Sequence, residues 1–321
     1  MASKSSKQCS SQISPVYEPA KSFACGKAIL VGEHAVVYGA QAIAMPVKHM
    51  GMSLDLIPDN DAKDLKFRIF LGGHEVSDQI VDLIPEAFRL LQLPPCALTI
   101  NGSSSIPIGA GLGSSATLCV AILRVILASY GENRNPQSIA NLANLMEARF
   151  HGNPSGLDTA VIANGSCIKF VKGSNPSGLE LAAKVSGWRF VLIDSKIRAG
   201  TRAMIEKAAP FFAGKLGRER VELFNALALQ AEYGLTHGSL GDLADAMNQT
   251  GVYLKEAGVV PQTLQDIISH CRGLGIPAAK TTGAGGGGTI LCLLSPDRAE
   301  DQIKALAQTY PGENITITEI A

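Results

Sequence analysis

The sequence has few charged residues and no excess of either sign. Only 17% of its 321 residues are charged, and 28 Lys and Arg residues balance 28 Asp and Glu residues. An average globular domain contains about 25% charged residues. Proteins that bind nucleic acid or an anionic membrane through surface charge carry a basic excess. The balanced composition therefore argues against nucleic-acid and membrane partners.

The sequence also lacks a long apolar run and closely paired cysteines. Its most apolar stretch, residues 116–128, is too short to span a bilayer and contains Arg124, so it predicts a buried helix. The seven cysteines are scattered, and none of them forms a C-x-x-C pair. This pattern favours reduced thiols and a cytoplasmic location.

Residues 1–22 lack arginine and any apolar signal core, and they are rich in Ser and Lys. We therefore predict a mobile tail over residues 1–21, with an organelle presequence as the alternative. The chain is long enough for about two domains. The pattern is predominantly helical over residues 200–274, which indicates a domain change near residue 190. We therefore predict two mixed lobes, residues 22–190 and 191–321, in an α+β fold.

Local patterns predict the elements that surround the candidate sites. Apolar runs predict strands at residues 28–31, 42–45, 98–100, 166–171, 188–194, 289–294 and 314–320. We expect Pro46 to end the second of these strands and Asn101-Gly102 to form a hairpin. The apolar spacing in residues 76–93 is nearly helical, with a kink or break at Pro85. Asn135-Pro136 predicts the start of a helix that ends near Phe150.

Glycine, by contrast, is abundant, and one glycine-rich loop precedes the apolar helix. Residues 107–116 read P-I-G-A-G-L-G-S-S-A. Alternating glycines free backbone N–H groups to face an anion, and the helix N-terminus adds positive charge, so the loop predicts a phosphate cradle. It has neither the Walker A lysine nor the Rossmann spacing. Ser114 and Ser115 can cap the helix or reach a phosphate-bound metal, while an ordinary capped turn is the alternative.

A second candidate segment, residues 24–39, brings together an amine, a carboxylate and an imidazole. Lys27, Glu33 and His34 flank the apolar run of residues 28–31. Three such groups beside a buried strand are costly unless they form a site. Alone, Lys27 would be interpreted as a surface charge and His34 as a hydrogen-bonded core histidine.

Two carboxylates and a late glycine run form the third pattern. Glu147 ends a predicted helix, and the turn H-G-N-P-S-G then presents Asp158. Two carboxylates brought to one place suit two tasks, Mg²⁺ binding and work at the nucleophile. Alternatively, Asp158 is the N-cap of a helix over residues 159–163. Five glycines in residues 283–288 predict close backbone approach to a substrate, with a flexible hairpin as the alternative.

In this order, the segments resemble the GHMP small-molecule kinases. The motifs G-E-H-A-V-V-Y-G and H-G-N-P-S-G-x-D are similar to those of the mevalonate kinase family within that superfamily, and the resemblance runs from about Ala24 to the C-terminus. It implies an N-terminal lobe of the ribosomal protein S5 domain 2-like kind, with a left-handed β-α-β unit. A ferredoxin-like C-terminal α/β lobe would follow it, with the active site between the lobes.

The resemblance also implies roles for individual residues. Asp158 would be the catalytic base or anionic stabiliser, and Lys27 would pair with it and stabilise the transferring phosphoryl group. Ser115 and Glu147 would hold Mg²⁺. The residues expected to cradle the ATP phosphates are Pro107, Gly109, Ala110, Gly111, Leu112, Gly113, Ser114 and Ser115. Those expected at the mevalonate pocket are Lys27, Glu33, His34, Asp158, Thr201, Gly283, Ala284 and Gly285. Residues 283–286 would also close over the phosphates from the other lobe.

The implied reaction is transfer of phosphate from ATP to the 5-hydroxyl of (R)-mevalonate, giving 5-phosphomevalonate and ADP. Homodimers are frequent in the family, so a homodimer is a further expectation. Cys25 stands where the family has proline, which predicts a looser turn before Lys27, and Leu118 replaces an expected aromatic residue. The alternatives are a related kinase for phosphomevalonate, homoserine or a sugar, and a catalytically silent ligand sensor.

Overall fold

Two β-sheets organise the chain in this computed structural model, which describes residues 17–152 and 154–320. The strands are β1 (Ala20–Val31), β2 (Ala42–Asp59), β3 (Phe67–Leu71), β4 (His74–Glu75), β5 (Ala97–Ser104), β6 (Ile168–Phe170), β7 (Ser177–Gly178), β8 (Arg189–Asp194), β9 (Ala278–Thr282), β10 (Thr289–Leu293) and β11 (Ile315–Glu319). The helices are α1 (Asp78–Val81), α2 (Leu83–Leu91), α3 (Ser114–Ser129), α4 (Pro136–His151), α5 (Leu157–Asn164), α6 (Thr201–Ala208), α7 (Gly214–His237), α8 (Leu240–Glu256), α9 (Gln262–Gly273) and α10 (Ala299–Thr309).

The first sheet has seven strands in the order β4-β3-β5-β2-β6-β7, and β1 pairs with β2. Strand β2 is long enough to pair with β6 at one end and β5 at the other, while β1 follows it antiparallel. Helices α2 to α5 pack their apolar side chains against one face of this sheet. The carboxyl end of β1 and the start of α3 therefore meet inside the first lobe.

The second sheet is antiparallel, in the order β11-β8-β10-β9. Alternate side chains of β8 serve two cores because successive side chains in a strand point to opposite faces. Phe190 and Leu192 pack with β1, β2, α7 and α8, whereas Val191 and Ile193 pack with α9 and α10. The two lobes thus share the core that lies under β1 and β2.

Helix α3 confirms the prediction of a buried helix. Twelve of its sixteen residues are buried, and Arg124 donates to the carbonyls of Phe23 and Ala163 at 2.9 and 3.0 Å. No helix within the described ranges combines the length and the apolarity needed to cross a membrane.

Two predicted strand ends are wrong. Strand β2 continues through Pro46, which lies opposite Lys27 in β1, and the N–H of Lys27 donates to Leu112 O at 3.0 Å instead of to β2. Pro46 also lies between the segments of β2 that pair with β6 and β5, so no ladder hydrogen bond requires its missing N–H. Asn101-Gly102 lies within β5 and forms no hairpin. A Cβ at Gly102 would lie 2.5 Å from Leu54 Cδ2, so a larger residue there would have to displace the Leu54 side chain.

The helix signals perform better than the strand signals. The Asn135 side chain accepts from the Ser138 N–H at 2.8 Å and caps α4 as predicted. The helical pattern of residues 76–93 breaks at Asp82, which places Pro85 in the first turn of α2, where proline costs no hydrogen bond. Four helices, α6 to α9, lie in the segment predicted to be helical.

The predicted tail and lobe boundary need correction. Tyr17 is 2% exposed and packs on Phe88 and Tyr130 at centroid distances of 5.8 and 5.2 Å, so the fold includes residues 17–21. Residues 1–16 lie outside the described part of the chain, and the tail stays a prediction there. The predicted boundary at residue 190 falls inside β8, which pairs with β10 and β11. The change of sheet occurs between β7 and β8.

Candidate active site

The glycine-rich loop connects β5 to α3 and places the start of that helix at a cavity of about 380 Å³. Gly113 is the N-cap of α3, with φ +79°, and no side chain of the described residues caps the helix. The Thr117 hydroxyl is shared as a donor between the carbonyl oxygens of Gly113 and Cys25, at 2.9 and 3.1 Å, which fixes the first turn against β1. The uncapped N-terminus therefore offers backbone N–H groups to an anion.

Alternate residues of this loop have different tasks. Gly109, Gly111 and Gly113 line the cavity together with Ser114 and Ser115. Ala110 and Leu112 are buried in the core shared by the lobes, and they do not line the cavity, nor does Pro107. These three residues were expected to cradle phosphate, but they lie outside the cavity lining. The predicted phosphate contacts of the other five stay a prediction.

Lys27 connects β1, the glycine loop and α5. Its side chain is 2% exposed, and its Nζ lies 3.2 Å from Asp158 Oδ2. The same Nζ donates to Gly111 O at 2.9 Å. A buried ammonium is stable only when it is paired and hydrogen-bonded, and Lys27 has both kinds of partner. Asp158 lies in the first turn of α5, whose N-cap is Gly156, so the N-cap interpretation of Asp158 is wrong.

A second carboxylate reaches the start of α3 from α4. Glu147 Oε1 accepts from Ser115 Oγ at 3.0 Å, and His151 Nε2 lies 3.1 Å from the same hydroxyl. Burial, and next the negative charge of Asp158, raise the pKa of Glu147 to about 8. Two carboxyl groups and a hydroxyl thus converge beside the helix N-terminus. Among the described residues no cluster of three or more His, Cys, Asp or Glu side chains could hold a metal by itself.

The other wall of the cavity contains Glu33 and His34, which follow β1. His34 has φ 60°, an unusual conformation for a residue other than glycine. Its Nε2 donates to Ala284 O at 2.9 Å, a contact that requires the proton on Nε2. Burial lowers the pKa of His34. Glu33 is 1% exposed and forms an ion pair with Lys280 of β9.

Both lobes contribute to the cavity wall. The second lobe supplies Thr201 from the start of α6 and the loop after β9, of which Gly283, Ala284 and Gly285 line the cavity. Gly286 does not line it and packs against Ala199 and Met204 instead. The structure thus brings all eight residues of the predicted acceptor pocket to one cavity, whereas Gly286, expected over the phosphates, lies outside its lining. Their contacts with a substrate stay predictions.

The two glycine loops pack directly on each other. Gly111 has φ +82°, and a Cβ on it would lie 2.4 Å from Thr282 O. Gly283, with φ +86°, would place a Cβ 2.8 Å from Gly111 Cα. The backbone approach predicted for the late glycine run is therefore at least partly an approach to the other loop.

Replacing Gly111 with alanine is expected to disturb both loops together. The new Cβ meets a carbonyl that cannot move without shifting β9, and alanine is strained at this positive φ. We expect a loss of stability of about 1–3 kcal/mol and weaker nucleotide binding. Urea unfolding and nucleotide titration measure the two effects. Gly131→Ala is the control, since Gly131 also has positive φ but no atom lies within 4 Å of its added Cβ; equal losses in both variants would contradict the packing argument.

Comparison with protein families matches two parts of the chain. The model for the GHMP kinases N terminal domain matches residues 79–166, and the model for the GHMP kinases C terminal domain matches residues 228–312. The chain belongs to the GHMP kinases. It is thus an ATP-dependent kinase that acts on an alcohol.

Individual relatives of this GHMP kinase are similar along most of their length. The mevalonate kinase of Aeropyrum pernix is 26% identical over 309 residues, which cover 90% of this chain and 93% of the relative. The structure of L. major mevalonate kinase in complex with R-mevalonate has a TM-score of 0.78 at 22% identity, over 95% of this chain and 99% of that one. Lactococcus lactis galactokinase, with bound galactose, also reaches a TM-score of 0.78, at 17% identity and 94% coverage of each chain. These structures confirm the GHMP kinase fold, and their fold alone does not select an acceptor.

Sequence reasoning missed two residues of this GHMP kinase site. Lys280 lies three residues before the late glycine run begins and is the buried partner of Glu33. Lysine is almost never fully buried unless it is paired, but the neighbours of Lys280 in β9, two alanines and two threonines, form no apolar pattern that would mark it as buried. His151 belongs to the H-G-N-P-S-G-x-D motif but received no role, although it contacts Ser115. Cys25 and Lys27 both lie within β1, so the expected turn between them is also wrong.

Proposed function

We propose that this GHMP kinase phosphorylates the 5-hydroxyl of (R)-mevalonate. One observation carries the catalytic part of the proposal: Lys27 Nζ joins Asp158, at 3.2 Å, to the glycine loop at Gly111 O, at 2.9 Å. The carboxylate that receives the acceptor and the loop that receives the phosphates are thereby held by one ammonium group. Phosphoryl transfer depends mainly on positioning and charge neutralisation, which this arrangement provides.

The choice of mevalonate is supported by sequence relatives and by the apolar part of the cavity. The Aeropyrum pernix relative named mevalonate kinase extends over nearly the whole chain. Val36, Val37 and Ile205 line the cavity near His34 and Thr201. A small hydroxy acid with a methyl group offers both polar groups and apolar surface, whereas a sugar would need more polar partners than these side chains provide.

Ser115 and Glu147 fit a magnesium ion. Mg²⁺ prefers oxygen ligands and is commonly held by one or two protein groups together with substrate phosphates and water. Burial and the Asp158 charge raise the pKa of Glu147, so its carboxylate lacks a compensating positive charge. A bound divalent cation would supply that charge and favour the carboxylate form. When bound, Mg²⁺ would neutralise charge on the nucleotide phosphates.

In the proposed reaction, the chain's own groups act as follows. The N-terminus of α3 binds the phosphates, and Lys27 neutralises charge on the group in transfer. The Asp158 carboxylate, 29% exposed at the cavity, accepts the proton of the acceptor hydroxyl. The acceptor oxygen bonds to the γ-phosphorus of ATP as the bond from that phosphorus to the bridging oxygen breaks, and ADP leaves. His34 and Thr201 orient the acceptor from the opposite wall. The two glycine loops exclude water from the space between them.

The test is ADP release with MgATP and one alcohol at a time: mevalonate, phosphomevalonate, homoserine or galactose. Mass and ³¹P NMR identify the product. We expect phosphorylation of mevalonate alone, on its 5-hydroxyl. Phosphorylation of another of these compounds instead would make that compound the acceptor. No ADP release with any of the four would favour a ligand sensor.

A related kinase with another acceptor is the second candidate, because the galactokinase fold is equally similar. The apolar Ala35-Val36-Val37 segment disfavours a sugar. We also propose a cytoplasmic location, since Cys25, Cys96, Cys119, Cys167, Cys271 and Cys292 are free. A homodimer stays a prediction.

A further inference from the structure

Lys280 is fully buried, although nothing in the proposed phosphoryl transfer uses its charge directly. Its Nζ forms an ion pair with Glu33 Oε1 and donates to the carbonyls of Thr281 and Ile29 at 2.7 and 3.3 Å. All three ammonium protons therefore have acceptors. Such a complete set of partners in the protein interior indicates a fixed structural relationship between β9 and the segment after β1.

Ile29 shows how closely the two lobes are joined at this point. The register of β1 against β2 shifts between Ile29 and Val31. The backbone N–H of Ile29 donates to Thr282 Oγ1 at 2.8 Å, and its carbonyl accepts from Lys280. Side chains of β9 thus take the place of a neighbouring strand.

The contacts continue into a closed ring. Lys280 holds Glu33, the next residue His34 donates to Ala284 O at 2.9 Å, and Ala284 follows Lys280 along the chain. This Lys280 ring comprises residues 33–34 and 280–284. It joins both walls of the acceptor cavity, because Glu33, His34, Gly283 and Ala284 all line that cavity.

One polar atom in the ring is left without a partner. Glu33 Oε2 is buried and has no hydrogen-bond partner among the described residues, while Oε1 is held by Lys280. An unpartnered buried carboxylate oxygen is costly, and a hydroxyl donor from a ligand removes that cost.

We propose that Lys280 is a positioning residue for the acceptor alcohol: it holds Glu33 so that Oε2 accepts from an acceptor hydroxyl and His34 stays bonded to Ala284. The inference rests on the proposed function and adds a residue to it. Lys280 does not touch the alcohol. It acts through Glu33, and its loss should affect acceptor binding more than nucleotide binding.

Kinetics of four variants test this role: Lys280→Met, Glu33→Gln, the double variant, and Lys169→Met as a matched control. Lys169 forms another ion pair between the lobes, with Glu232 at 2.8 Å, but lies outside the cavity. We expect each ring variant to raise the KM for mevalonate at least about tenfold, equivalent to about 1.4 kcal/mol. The KM for MgATP should stay within about twofold, and the control should match the wild type in both.

The double variant separates positioning from stability. Lys280→Met leaves Glu33 buried without its cation, so that variant should have the lowest Tm. Removing both charges should restore the Tm without restoring the KM for mevalonate. Because both residues act through the same contact, the rise in KM in the double variant should be well below the product of the two single-variant rises. A wild-type KM for mevalonate in the double variant would overturn the proposal. So would a rise in KM equal to the product of the two single-variant rises, because the residues would then act independently.

A second measurement does not depend on the acceptor. The Nε2–H signal of His34 in NMR spectra, assigned by its loss in His34→Asn, should exchange slowly in the wild type because of the bond to Ala284. We expect fast exchange in the double variant. An unchanged signal would overturn the ring, even if the wild type phosphorylated none of the four alcohols and the proposed function failed.

Discussion

Asp158→Asn is expected to abolish turnover and to leave nucleotide binding nearly unchanged. The asparagine retains the size of the side chain but cannot accept the proton of the acceptor hydroxyl, and a positioned base contributes about 10²–10⁴-fold to rate. The phosphates are expected to bind backbone N–H groups of the glycine loop and of the start of α3, which the substitution leaves unchanged. The measurements are kcat with mevalonate and the Kd of a fluorescent ADP analogue.

The control for this variant is Asp55→Asn. Asp55 is also paired with a lysine, Lys21 at 3.0 Å, but the pair lies on the surface of the first sheet, and its loss should change kcat by less than about twofold. A near-normal kcat for Asp158→Asn would show that Asp158 is not the base. Equal loss of nucleotide affinity and kcat would show that its carboxylate serves the cradle instead.

Glu147→Gln is expected to remove most of the divalent-cation binding of the nucleotide complex. Glutamine can keep the hydrogen bond from Ser115, seen at 3.0 Å for Glu147, but it carries no negative charge. We expect the Mg²⁺ concentration for half-maximal activity to rise at least about tenfold, as for loss of a ligand group. Electron paramagnetic resonance of Mn²⁺ with ADP measures the binding without turnover.

The matched control is Glu86→Gln, because Glu86 pairs with Arg89 on the outer face of α2. It should bind Mn²⁺ like the wild type. The variant Glu147→Gln should also retain metal-free ADP binding, since the loop and the helix N-terminus are unchanged. Unaltered Mn²⁺ affinity in Glu147→Gln would reject Glu147 as a ligand, whatever happened to kcat.

The sequence was most informative where a short segment carries its own physical reason. The Asn135 cap and the break of the helical pattern near Pro85 depend on neighbouring residues only, and both are confirmed. The loop of residues 107–116 correctly predicts a helix after it, although α3 begins at Ser114, two residues earlier than expected. The predictions of a strand end at Pro46 and of a hairpin at Asn101-Gly102 are wrong, because pairing with neighbouring strands overrides local turn preferences.

By itself, the sequence determined the family motifs, the buried apolar helix and the identity of most side chains that line the cavity. These follow from spacing, glycine content and apolar runs. Only the tertiary structure decided which of those side chains meet. Lys280 and Glu33 are separated by 247 residues, and Lys27 and Gly111 by 84. Such pairs form because β1, β9 and the glycine loop pack around one core, and local sequence carries no record of that packing.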